Sequence, residues 1–286
     1  MKIYLATFYS LDLKRSARRF KHQAEEMKVY DKIFVYNQDD LNQDFKDYIH
    51  VLLKKGKERG YGHWVWQTYI HQLVLSQIDY GDIYHWCDVG CHFNQKGIWR
   101  LKEYIDLVNN DEKGFLFFSY KKPIINITNK DYDFPSNYEY QYTKPDLLKY
   151  FNLKLSDKIA QTPQVWGGSF FLKKTKTSEN LMKKHYDITR NRYDLIDDDE
   201  SKFTEECHRG FIAHRHSQSV LSILAKKENC KFLSAYESEW ALNEEGKRTY
   251  EHLKNFPIIA KRDKQKNLFA RFLDRQKKNF KRKLSK

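Results

Sequence analysis

Residues 82–94, DIYHWCDVGCHFN, hold the feature on which the fold turns: an apolar run that stops at an aspartate, with a glycine two residues later. Ile83 to Cys87 read as a strand and Asp88 as its carboxyl end, while Gly90 permits a tight turn or a close backbone approach to a ligand. Cysteines and histidines bracket the aspartate, so three chemistries compete. A structural zinc would use the C-x3-C of Cys87 and Cys91, yet no second Cys/His pair of comparable spacing follows, and His85 and Cys87 project from the strand face opposite Asp88. A redox pair would want C-x-x-C at a helix start. The third reading is a ligand site beyond a strand's carboxyl end, where open α/β sheets bind their ligands. There Asp88 either holds a divalent cation or caps the next turn.

Working outward, KIYLATFYS (2–10) reads as a strand and LKRSARRFKHQAEEM (13–27) as an amphipathic helix with Leu13, Ala17, Phe20 and Ala24 on one face. DKIFVYN (31–37) is a second strand, which completes a βαβ unit with a right-handed crossover. Residues 44–56 and the second half of GYGHWVWQTYIHQLVLSQI (60–78) read as helices, as does IWRLKEYIDLVNN (98–110). GFLFFSY (114–120) and QVWGGSFFLKK (164–174) are buried strands; ENLMKKHYDITRNRYDLI (179–196) and the end of GFIAHRHSQSVLSILAKK (210–227) are helices; CKFLSAY (230–236) is a last strand. Residues 121–146 carry three of the five prolines and no periodicity, which predicts a long surface loop. The fold class is α/β, with a mainly parallel mixed sheet flanked by helices.

Composition limits the function classes. The 286 residues are 40% hydrophobic and 16% aromatic, which excludes a disordered chain. The net charge of +14 is concentrated at the end: residues 261–286 hold 12 Lys/Arg against two Asp, so the first 260 carry only +4. That distribution argues against a nucleic-acid-binding domain. No run approaches the roughly 18 apolar residues that span a bilayer, the N-terminus makes a poor signal peptide, and four scattered cysteines are no secreted disulfide framework. The expected location is the cytoplasm, where the Asn126-Ile127-Thr128 sequon has no meaning.

Three segments in order, GYGHWVWQ (60–67), DIYHWCDVGCHFN (82–94) and HRHSQSVLSILAKK (214–227), resemble a family of bacterial capsule and lipo-oligosaccharide glycosyltransferase-like proteins. Its pattern runs G-Y-G-x-W-x-W-K-P, then G-D-I-x-x-Y-x-D-x-G-C-x-x-N, then H-R-H-D-Q-S-x-x-S-L, and the match covers most of residues 1–235. The resemblance implies a type-A glycosyltransferase-like fold in one domain, residues 1–260, with a nucleotide-binding half to about 120 and an acceptor half from about 121. It implies transfer of a sugar, hexose by expectation, from a nucleotide-diphosphate donor such as a UDP-sugar to a hydroxyl of a capsule or lipo-oligosaccharide acceptor. Mn2+ or Mg2+ would sit at Asp88 with His214, or His216, completing the shell. This chain departs from the pattern at two places, with Gln67-Thr68 for Lys-Pro and Ser217 for Asp, and its Asp88-Val89-Gly90 lacks the second aspartate of the Asp-x-Asp that such folds commonly carry. Those departures keep a second reading open, a non-catalytic nucleotide- or glycan-binding relative.

Candidate roles follow. Asp88 and Gly90 anchor the diphosphate, and Thr7 and Tyr9, at the end of the first strand, face base and ribose, although Tyr9 suits a core equally. His214-Arg215-His216 opens a helix where the dipole favours a phosphate, and Gln218 follows one turn in. Cations there oppose the dipole and call for an anion, though a basic surface turn has the same sequence. Trp64, Trp66, Gln164, Gly167 and Gly168 are acceptor-side candidates, with core packing or a bulge as the alternative. The general base is open between His216 and the acidic stretch 194–200, which otherwise reads as a solvated loop. Residues 261–286 place Leu268, Phe269, Phe272, Leu273, Phe280 and Leu284 within an arc of about 160°, a pattern suited to the anionic inner face of the cytoplasmic membrane, where lipid-linked glycans are assembled.

Overall fold

The computed structural model describes residues 1–123, 132–201 and 210–261; the sequon and, apart from Lys261, the basic tail lie outside them. One six-stranded sheet organises the chain, with strands β1 (Ile3–Phe8), β2 (Lys32–Tyr36), β3 (Ile83–Cys87), β5 (Phe115–Ser119), β6 (Val165–Lys173) and β7 (Lys231–Ser234) in the order β2-β1-β3-β6-β5-β7. The short β4 (His92–Phe93) pairs outside it with Ile258–Ile259. β6 is antiparallel to both its neighbours, and the β1–β2, β1–β3 and β5–β7 pairs are parallel. The mainly parallel expectation holds, with one strand drawn from the second half of the chain running against the rest.

Period-two alternation sorts the side chains to two cores. From β1, Tyr4, Ala6 and Phe8 enter one cluster with Tyr84 and Trp86 of β3. Leu5 enters the other with Ile83 and Cys87. Helices α1 (Lys14–Glu26) and α4 (Ile98–Asn109) cover the second face through Ala17, Phe20, Ala24, Leu101, Tyr104 and Val108. Helices α2 (Gln43–Lys54), α3 (Val65–Leu75), α7 (Lys176–Asn191) and α8 (Ser217–Lys227) cover the first through Phe45, Ile49, Ile70, Val74, Met182, Val220 and Ile223. Each aromatic or aliphatic side chain removed from water in this way contributes about 1.5–3 kcal/mol.

Among the described residues of the stretch expected as a surface loop, several side chains between 134 and 146 turn inside. Phe134, Glu139, Thr143 and Lys144 are buried, and two short helices, α5 (Glu139–Tyr142) and α6 (Pro145–Tyr150), form there. Glu139 explains the error: its carboxylate accepts from Thr143 Oγ1 at 2.6 Å, Gln164 Nε2 at 3.0 Å and Lys226 Nζ at 2.7 Å, and also from Ser222. A polar segment is buried when partners from distant strands and helices satisfy it, and periodicity carries no sign of that.

Candidate active site

The order of the sheet reverses at β1, whose chain runs on to β2 on one side while β3 lies on the other, so the crevice beyond β1 and β3 is a topological switch point. A pocket of about 720 Å³ opens there, lined by Phe8, Ser10 and Asp12 from the end of β1, by Asp88, Val89 and Gly90 from the end of β3, and by Glu58, Gly60, Tyr61, Trp64 and Trp66. Phe8 stacks on Trp66 at 4.1 Å between ring centres, and the Trp66 indole donates to the Gly60 carbonyl at 2.9 Å. The Asp88 turn is fixed from both sides. Asp88 N–H donates to the Gly168 carbonyl at 2.8 Å, and Arg19 donates to the Val89 and Cys91 carbonyls at 3.0 and 2.7 Å. Among the described residues, the lining brings three carboxylates, Asp12, Glu58 and Asp88, and no lysine or arginine.

The motif GYGHW forms the pocket's outer wall in an unusual backbone conformation. Five successive residues, Gly60 to Trp64, have φ of 60°, 54°, 84°, 56° and 63°. Left-handed backbone costs about 1–2 kcal/mol for each residue with a Cβ, and Tyr61, His63 and Trp64 all bear one. The turn brings the Trp64 ring over Gly60, where an added Cβ would lie 2.5 Å from it. Runs of this kind persist where surrounding contacts over-determine them, and they concentrate at functional sites.

Behind Trp64 lies a group absent from the sequence expectations as a unit. His63 and His216 stack at 4.4 Å between ring centres, and the Asp198 carboxylate stands 3.4 Å from His63 Nε2 and 3.6 Å from His216 Nε2. His63 Nδ1 bonds the Tyr193 hydroxyl at 2.8 Å, and His216 Nδ1 bonds the Ile196 carbonyl at 2.7 Å. His216 also sits on left-handed backbone, at φ 53°. Burial lowers both imidazoles, His216 to about 4, against the raising effect of Asp198. Among the described residues this is the one group of three His, Cys, Asp or Glu side chains whose ligand atoms converge. Part of the stretch read as a solvated loop therefore faces two buried histidines; Asp197 likewise pairs with Lys144 at 2.6 Å, both of them buried.

A second, larger cleft, about 1170 Å³, lies across the Asp88 turn and is lined by Arg215, Arg248, Trp240, Tyr250, Tyr120 and Glu239 among others. Arg248 covers the Trp240 ring at 4.1 Å. The Tyr120 hydroxyl is pushed well up, first by burial and then by Glu239; Arg215 opposes the shift and Asp88 adds to it, so the field of Asp88 reaches this cleft too.

Of the residues singled out from sequence, Asp88, Gly90, Trp64 and Trp66 share the first pocket, and Arg215 lines the second. Trp64 and Trp66, expected on the acceptor side, thus line the same pocket as Asp88 and Gly90. Thr7 is fully buried in β1 and Tyr9 packs toward the core on the far face; Phe8 takes the lining position expected of Tyr9, because successive side chains alternate. His214 is corrected as a metal ligand. Its Nδ1 accepts from Lys144 N–H at 3.0 Å and its Nε2 meets the Leu195 carbonyl at 3.1 Å, which leaves neither nitrogen for an ion. The helix expected to open at the HRH triplet begins at Ser217, so the histidines precede it and turn inward. Gln218 binds Gly167 N–H and the Gln164 side chain, at 3.0 and 2.9 Å, and Gln164 belongs to the buried Glu139 network. Gly167 and Gly168 make room for Gln218 and for the Trp166 ring, rather than for a ligand.

Two of the departures from the resembled pattern meet in space. Ser217 Oγ donates to Gln67 Oε1 at 3.4 Å, and both residues are buried. Where the pattern has lysine and aspartate, this chain has a neutral pair in mutual contact.

No protein-family model and no curated protein sequence matches this chain. Among solved structures, it is similar to a glycosyltransferase involved in glycosylation of the major capsid of PBCV-1, at TM-score 0.48 and 12% identity over 91% of this chain and 92% of that one. It is similar to mouse xyloside xylosyltransferase 1 at 0.43 and 10%, over 84% and 87%. Glycosyltransferase GlyE of Streptococcus pneumoniae TIGR4 follows at 0.37 and 12%, over 83% of this chain and 46% of that one. Likeness at these scores carries no functional argument.

Proposed function

We propose that this chain is a glycosyltransferase, with a type-A-like arrangement, that takes a sugar from a nucleotide-diphosphate donor and gives it to a hydroxyl of a surface-polysaccharide acceptor. The observation that supports this best is the aromatic-walled pocket at the β1/β3 switch point, with Asp88 held rigidly on its rim. Tyr61 and Trp64, both half-buried, offer flat apolar surface to a base or sugar ring, backed by the buried Phe8–Trp66 stack. Gly90 lets the backbone come close to the ligand.

The charge of the pocket bears on the donor's form. Three carboxylates, with no cation among the described lining residues, disfavour a bare diphosphate, so the nucleotide enters complexed to a divalent cation. Asp88 fits such an ion as its single protein carboxylate, with phosphate oxygens and water in the other positions, a pattern usual for Mg2+. Bound there, the ion would stabilise charge on the departing diphosphate. Arg215, Arg248, Trp240 and Tyr250 give the second cleft the cations and aromatic faces that suit a glycan or glycolipid acceptor. Attachment of residues 261–286 to an anionic membrane surface would bring lipid-linked acceptors to that cleft; among the described residues no helix is long and apolar enough to cross a membrane.

The second reading, a nucleotide-binding relative without turnover, is favoured by Gly90 standing where a second carboxylate would be. A thermal-shift screen of nucleoside diphosphates with and without Mn2+, followed by sugar-release assays on the stabilising nucleotide's sugar conjugates, separates the two. Stabilisation with sugar release supports the enzyme. Stabilisation without release selects the binding relative, and no stabilisation by any nucleotide overturns both.

A further inference from the structure

We propose that His63, His216 and Asp198 form a binding site for a late first-row divalent cation of the Zn2+ type, separate from the Asp88 pocket. The three ligand atoms already lie within 4.8 Å of one another. Ligands about 2.0–2.1 Å from a tetrahedral zinc are about 3.3 Å apart. Asp198 Oδ2 lies 3.4 Å from His63 Nε2 and Oδ1 lies 3.6 Å from His216 Nε2, so each carboxylate oxygen stands about one such edge from one imidazole.

His216 carries the argument furthest. Its Nδ1, 2.7 Å from the Ile196 carbonyl, must bear the hydrogen of that bond, so Nε2 keeps its lone pair. Nε2 has no hydrogen-bond partner, and the residue is 2% exposed. It is aimed at a carboxylate, so two electron-rich atoms face each other across a gap that a cation would fill. The outer contacts are those of a ligating pair: each Nδ1 is held by an oxygen, of Ile196 for His216 and of Tyr193 for His63, which orients Nε2 inward. Two imidazoles and one carboxylate select Zn2+ or Co2+ over Mg2+ or Ca2+, and three protein ligands leave a fourth position open on the solvent side of Asp198.

Two features of the present arrangement must change on loading. Arg59 stands 3.4 Å from Asp198 Oδ2, the oxygen that faces His63, and competes for it as a cation. The imidazoles are 19° from parallel, so one ion cannot lie in both ring planes, and binding turns a ring about Cβ–Cγ. His63 is the ring free to do so, since its outer partner is a rotatable tyrosine hydroxyl and not a backbone carbonyl. The loaded site would tie the 196–198 segment to the left-handed turn, with the Trp64 ring 5.4 Å from His216 as reporter.

The test is titration of the full chain, stripped with EDTA, with Co2+, read by the visible d–d absorption of four-coordinate cobalt, with Zn2+ as competitor and Mg2+ as control. Saturable absorption, displaced by Zn2+ and unaffected by Mg2+, is expected. Asp198→Asn, at a half-exposed position that keeps the core intact, should weaken binding at least tenfold, and His216→Gln should do the same. Arg59→Ala should tighten it several-fold, a gain that neither misfolding nor stray surface histidines produce. Absent cobalt binding, or binding unchanged by Asp198→Asn, overturns the assignment.

Discussion

Placing a lysine at Gln67 and an aspartate at Ser217 tests whether these two buried positions are energetically coupled. Both side chains are 2–5% exposed and touch each other, so Ser217→Asp alone buries a carboxylate opposite a neutral amide. An unpaired charge in such a place costs about 3–5 kcal/mol. Ser217 is the first residue of α8, and the helix dipole returns about 0.3–1 kcal/mol of that. The expected net loss is therefore about 2–5 kcal/mol. Gln67→Lys alone also buries an uncompensated charge, although its ammonium can keep the bond that Gln67 Nε2 makes to the Gly167 carbonyl at 3.1 Å. In the double variant the two charges pair, and most of both losses should vanish, for a coupling of about 2–3 kcal/mol. Urea unfolding of the four proteins, followed by circular dichroism and tryptophan fluorescence, measures it. Losses that add within about 0.5 kcal/mol would refute the claim that the two buried positions are coupled.

Two further perturbations follow from the same geometry. His185 is buried with Nε2 on the Ser217 carbonyl at 2.9 Å and Nδ1 unpartnered, and burial lowers it to about 4. The unfolded chain then binds the extra proton first, so stability falls as pH drops below about 6.5 and this loss is complete below about 4; His185 alone should cost about 2 kcal/mol between pH 7.5 and 5, and His185→Gln should flatten the pH dependence of the urea midpoint by that amount. An unchanged slope would sink this attribution. Gly60→Ala adds a Cβ at φ 60°, 2.5 Å from the Trp64 ring, so it should cost about 1–3 kcal/mol and displace that ring. A wild-type tryptophan emission spectrum in Gly60→Ala would show that Trp64 does not rest there.

The sheet was readable because its strands are apolar runs bounded by turns, and IYLATF and IYHWC alternate between two cores as their sequence suggests. The pocket was half readable. Asp88 and Gly90 follow from their position at a strand end, and Phe8 was missed by one residue because the register of β1 against the crevice is set by packing. The HRH triplet was misread for a different reason. Its histidines look like a cationic helix start, but Ile196, Leu195 and Lys144 supply backbone partners from far along the chain, and those partners turn the rings inward. His63, Tyr193 and Asp198 come together over more than 130 residues through a left-handed turn; the only sign in the sequence is the pair of glycines flanking Tyr61.

The most direct test of the central claim is a calorimetric titration of UDP and other nucleoside diphosphates into the full chain with Mn2+, repeated on Asp88→Asn. Binding that depends on the metal and weakens at least tenfold in Asp88→Asn is the predicted result. Nucleotide binding that Asp88→Asn leaves unchanged, or none in the wild type at any metal concentration, would contradict a donor site at the end of β3.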